Sequence, residues 1–144
     1  MEKLVFGVIA TVLLAFNGNA QKVGELKDDK FEITEDLSFL KEQWNKMLQE
    51  NKIEGVIDRF EITLENYKDE KDSAYYQITG YSKDNFVKVA TELIFSRGIF
   101  SLDPIASTCT CNGCTVGCHP AKLRKIARYC DNPCPECSKS DTAH

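Results

Sequence analysis

No cysteine occurs in the first 108 residues of this 144-residue chain, and no histidine in the first 118. That gap removes the Cys–His nucleophile pairs and His/Cys ligand sets from everything N-terminal to it. Ser96, in "FSRG", has no base beside it in a recognisable motif. Carboxylates are plentiful, but they fall on the polar positions of the strand and helix patterns, where charge is solvated surface. A basic excess is also lacking. From Gln21 to Leu102 there are 12 basic and 17 acidic residues, a net of −5. A nucleic-acid partner, which needs a cationic face to release phosphate counterions, is excluded. There is no internal repeat and no low-complexity run. After residue 16 no apolar stretch approaches the ~20 residues that span a bilayer.

What is present begins at the N-terminus. Met1-Glu2-Lys3 is followed by a 13-residue apolar run, Leu4 to Phe16, and then "NGNAQ". Gly18 and Ala20 supply the small residues at −3 and −1 of a Sec-type signal peptide, with cleavage between Ala20 and Gln21. The run is too short for an anchor, and no cysteine near the site offers a lipid attachment. The expected product is soluble and exported, periplasmic or extracellular, where disulfides persist. The expected organisation is signal peptide 1–20, flexible segment 21–30, folded domain 31–104 and cysteine-rich tail 105–144.

In the domain, "KFEI" (Lys30–Ile33) reads as a short strand. Thr34 is an expected helix N-cap, with Glu35 and Asp36 in the first turn. Leu37, Leu40, Trp44, Met47 and Leu48 then make one apolar stripe of an amphipathic helix, and Gly55 is the expected breaker. The period changes to two. "DRFEITLEN", "AYYQITGY", "FVKVATELIF" and "IFSL" are expected strands joined by short turns. The fold expected is α+β: one helix packed on a four- to five-stranded antiparallel meander, followed by a loop-rich, Cys-rich tail. The element order resembles the cystatin-like arrangement and the small PepSY-type domains. The Gln-x-Val-x-Gly inhibitory loop of cystatins is absent, so protease inhibition is not implied. Tyr67, Tyr75, Tyr76 and Tyr81 are candidates for a binding surface on an open sheet face, although strand propensity explains them equally well.

All seven cysteines lie between 109 and 137, in a segment (103–144) with a net charge of +1. From Cys111 the spacing C-x2-C-x3-C-x11-C-x3-C-x2-C is a palindrome. A hairpin cross-linked rung by rung shows that pattern, giving Cys111–Cys137, Cys114–Cys134 and Cys118–Cys130, with Cys109 left free. The connector "HPAKLRKIARY" suits a hairpin, as helical turns opened by Pro120 or as a loop. Pro133 ends helical structure. Each bridge would contribute about 3 kcal/mol by constraining the unfolded chain. Zinc is the alternative: Cys111, Cys114, Cys134 and Cys137 form C-x2-C-x19-C-x2-C, with His119 a substitute ligand. An iron–sulfur site fits poorly, and "CTVGCH" has one residue too many for haem attachment. Thiol–disulfide catalysis by either CxxC lacks its usual βαβ context. The reading is an exported, non-enzymatic binding or structural module with a disulfide-stapled tail and no cofactor. Its alternative is an exported protein binding zinc or another soft metal.

Overall fold

The computed structural model describes residues 21–113, 122–124, 128–129 and 137–140. The expected signal segment, with Ala20, lies outside them. Among the described residues no helix is long and apolar enough to cross a membrane.

The chain opens with a hairpin. Strand β1 (Lys22–Lys27) pairs antiparallel with β2 (Lys30–Ile33). Asp28 and Asp29 form its two-residue turn, both at positive φ (49° and 64°). Such primed turns match strand twist. The segment 21–30, expected to be flexible, is therefore ordered strand. Its charges hide a strand that buries Val23 completely. Gly24 lies opposite both Ile33 and Phe100. A Cβ at that position would stand 2.9 Å from Ile62 Cδ1, so the absent side chain lets β3 approach.

Helix α1 (Ser38–Glu50) begins later than Thr34 allows. Leu37 is the N-cap residue and makes no side-chain cap bond. Asp36, just outside, accepts from the Ser38 backbone N–H at 2.9 Å and from its hydroxyl. These bonds hold the Asp36 carboxyl below its ordinary pKa. Leu40, Trp44 and Leu48 are fully buried, as the stripe requires. The helix ends at Asn51 and at Lys52, whose φ is 58°, before Gly55 is reached.

Strands β3 (Ile57–Asn66), β4 (Ala74–Ser82), β5 (Val87–Ser96) and β6 (Ile99–Leu102) follow, each antiparallel to the next. An open meander would stop at β6. Instead β6 pairs with β1, and the sheet continues to β2, which comes alongside β3. The result corrects the expected fold: six strands make a nearly closed antiparallel barrel with one helix, not a helix on a meander. The physical reason is the long-range β1–β6 pairing, which has no local sequence signal. The helix fills the inside of the curled sheet rather than covering a flat one. Trp44 is seated where Gly80 leaves space: a Cβ there would meet Ile57 Cγ2 at 2.7 Å and Trp44 Cε3 at 3.1 Å. Elsewhere in the interior Phe31, Tyr76, Phe95 and Phe100 pack ring to ring, with centroids 4.7 to 5.6 Å apart.

Strand β5 carries a fork. Its Leu93–Ser96 end pairs with β6, and its Val87–Thr91 end pairs with β7 (Thr108–Asn112). Strand β7 in turn pairs with β10 (Cys137–Ser140). The main sheet thus runs across the boundary drawn at 104/105. A separate two-stranded ladder joins β8 (Lys122–Leu123) to β9 (Arg128–Tyr129), where the connector was open to helical turns.

Candidate functional site on the outward face

Alternation along the strands defines a second face. Val87, Val89 and Leu93 point inward, to the helix. Lys88, Ala90 and Glu92 point outward. Register aligns Thr79 with Ala90 and Cys109, and Tyr81 with Lys88 and Cys111. Residues at these outward positions should be wet on the sequence pattern. They are not: Gln77, Thr79, Ala90, Cys109 and Cys111 are all fully buried. Burying polar groups costs unless they are bonded. Gln77 Nε2 donates to Thr79 Oγ1 at 3.2 Å.

Lys122 and Arg124 cross onto one end of this face and hold the β3–β4 loop. The Lys122 N–H donates to Tyr75 Oη at 3.1 Å, and its carbonyl accepts from the Lys68 N–H at 3.1 Å. Its ammonium pairs with Glu92, both side chains being about four-fifths buried. The Arg124 N–H donates to Asp69 Oδ1 at 2.8 Å, its guanidinium bonds the Ser73 hydroxyl, and its Nε lies 3.7 Å from Glu70. Both cations stand over the Tyr67 ring, at 5.9 and 5.8 Å from its centroid. Burial pushes the Tyr75 phenol pKa well up, against the lowering effect of the Lys122 bond. Tyr81, flanked by the Arg59 guanidinium at 4.8 Å, is raised for the same main reason.

The tyrosines do not make one open surface. Tyr75 is buried under Lys122, and Tyr76, the next residue in the strand, points into the barrel. Sequence reasoning missed Lys122 and Arg124 as anchors. The available signal was charge: "KLRK" against the acidic loop "YKDEKDS".

The cysteines divide as follows. Cys111 opposes Cys137 directly in the β7–β10 ladder. Cys109 opposes Lys139 on one side and Ala90 on the other. Both Cys109 and Cys111 are fully buried on β7. Cys114, Cys118, Cys130, Cys134 and His119 lie outside the described residues, and with them two of the expected rungs and half of the zinc set. Among the described residues no group of three or more His, Cys, Asp or Glu is placed to hold a metal. Ser96 closes β5 before the Arg97–Gly98 turn. Gln21 heads β1, its carbonyl accepting from the Leu102 N–H at 2.8 Å. No protein-family model matches the chain, and neither the curated proteins nor the solved structures searched return a match.

Proposed function

We propose that this is an exported, non-catalytic binding or structural module, with its C-terminal segment fastened to the sheet by disulfides. The observation that carries the proposal is the register of Cys111 against Cys137. Directly opposed residues in an antiparallel ladder have Cα atoms about 4.5 or 5.5 Å apart. A disulfide needs ~4.4 to 6.8 Å between Cα atoms, a range that includes these two spacings, and this supports the pairing. The palindrome chose the same pair from spacing alone. Two anchors then hold the segment: the Cys111–Cys137 rung at one place and the Lys122/Arg124 contacts at another. A module built this way resists proteolysis outside the cell, where a small core alone gives limited stability.

The intact mass of the exported protein, measured before and after reduction together with its metal content, tests the reading. A gain of two hydrogens per bridge, without metal, is expected. Stoichiometric zinc with Cys111 and Cys137 both reduced overturns it in favour of a metal-binding protein. In that case a chelator should also unfold the segment.

A further inference from the structure

The barrel closes on its N-terminal strand. Strand β1 lies between β2 and β6, and its pairing with β6 turns the sheet back on itself. That pairing begins at the first residue of the expected mature chain. The Gln21 carbonyl accepts from the Leu102 N–H at 2.8 Å, and Lys22 opposes Ser101. Val23, two residues in, is fully buried. Trimming a few residues from this end would therefore remove the closing strand and uncover the core.

Gln21 itself is exposed. Among the described residues its carbonyl carries a hydrogen bond and its side-chain amide carries none. Cleavage between Ala20 and Gln21 leaves an α-amine and this free amide on one residue, spaced to close a five-membered lactam. The amine nitrogen bonds Cδ, the Cδ–Nε2 bond breaks, and a proton passes from the amine to the leaving nitrogen, which departs as ammonia. No oxidant or co-substrate enters. The attacking amine must be neutral, and an α-amino pKa of about 7.7 to 8.0 supplies a neutral fraction at physiological pH. The lactam consumes the amine and the side chain but leaves the carbonyl, so the bond from the Leu102 N–H is kept. It also removes a positive charge next to Lys22, whose ammonium lies 3.3 Å from Glu25 and 3.9 Å from Glu35.

We infer that Gln21 is a modification site, cyclised to pyroglutamate in the mature protein, and that the lactam caps the barrel-closing strand against aminopeptidases. The inference rests on the export reading above, which supplies the new terminus.

Mass spectrometry of the exported protein tests it. Glu-C releases the N-terminal peptide Gln21–Glu25. This peptide should be one ammonia lighter than its sequence requires and should resist Edman degradation. The intact reduced protein should show the same deficit before digestion, which separates it from cyclisation of the freed peptide. Gln21→Ala should abolish the deficit and restore sequencing. A deficit that survives in this variant would place the loss elsewhere, as at Asn112–Gly113, where succinimide formation also releases ammonia, and would overturn the inference. So would a Gln21–Glu25 peptide of full mass in protein held at about pH 8, where the amine is largely neutral. A terminus at another residue after Phe16 also overturns it, because glutamine then does not lead the chain, yet leaves export standing. A terminus at Met1 instead removes the export reading. Aminopeptidase should trim the Gln21→Ala protein and leave the wild-type terminus whole. Equal resistance would show that strand pairing alone guards this end, and would remove the capping role.

Discussion

The two faces of one sheet are buried by different chemistry. Inside the barrel Leu40, Trp44, Leu48, Ile78, Val89 and Phe100 exclude water by apolar contact, which is non-directional and tolerant of small shifts. Outside, over the same strands β4 and β5, the buried residues are Gln77, Thr79, Ala90, Cys109 and Cys111, and at one end of this face lie the polar contacts of Lys122 and Arg124 with Tyr75, Glu92 and the β3–β4 loop. A face of that kind gains little from area. It is held by directional bonds, ion pairs and, on the reading proposed above, sulfur cross-links. The inner face should therefore set global stability, and the outer face should set how firmly the C-terminal segment is attached.

The largest effect expected is on the inside. Trp44 is fully buried against Phe60 and Gly80. Trp44→Ala should cost about 3 to 5 kcal/mol in chemical denaturation, with the whole barrel unfolding at lower denaturant. A cost below about 1 kcal/mol would mean that the stripe does not face the core. Among the described residues the Trp44 indole N–H has no hydrogen-bond partner. Trp44→Phe should thus lose less than its volume suggests, since it also removes an unsatisfied donor.

This contrast also explains what could be read from sequence. The inner face was legible because apolar periodicity is local. Leu37 to Leu48 marks the helix, and β3 to β6 lie within a residue of the segments picked out by alternation. Strand β1 was hidden because Lys22, Glu25, Lys27 and the Asp28–Asp29 turn resemble a charged linker. Barrel closure was hidden because β1 and β6 are separated by the whole domain. The outer face was misread for a simpler reason. Alternation assigns polar residues to water, and the burial of Gln77 and Thr79 has no local signal. Of the candidate site, the Cys111–Cys137 opposition could be read from spacing, since an undisturbed hairpin preserves spacing. The β8–β9 register could not, because it departs from it.

A smaller effect, confined to the outer face, should follow from breaking the Lys122–Glu92 pair. A double-mutant cycle with Lys122→Met and Glu92→Gln should give a coupling of about 1 kcal/mol, between the values for exposed and fully buried pairs. The coupling should weaken with salt. The sharper readout is local. Trypsin should cut the variants faster at Arg124 and Lys125 while Trp44 fluorescence reports an intact core. If the cleavage rate changes only in step with global unfolding, the two faces are not energetically separable and the comparison fails.

The smallest effect is conditional on pH. Burial raises the folded-state pKa of Tyr75, so the native protein keeps this phenol protonated where the unfolded chain ionises. The unfolded value is about 10. The sign follows from linkage: the stabilisation is fully present below that value and is lost as pH climbs from it through the raised folded value. Between pH 7 and 9 the wild-type protein should show no Tyr75-dependent change. Above about pH 10 its stability should fall with a slope that Tyr75→Phe reduces. Tyr81 is raised in the same direction, so some slope should survive in the single variant and diminish further in Tyr75→Phe/Tyr81→Phe. At neutral pH Tyr75→Phe should still loosen the segment, because the Lys122 N–H loses its acceptor while the inner core is untouched. Denaturant midpoints measured from pH 7 to 11, with trypsin sensitivity at pH 7 beside them, separate the two consequences. An unchanged alkaline slope in the double variant would show that neither phenol is protected from ionisation by the fold.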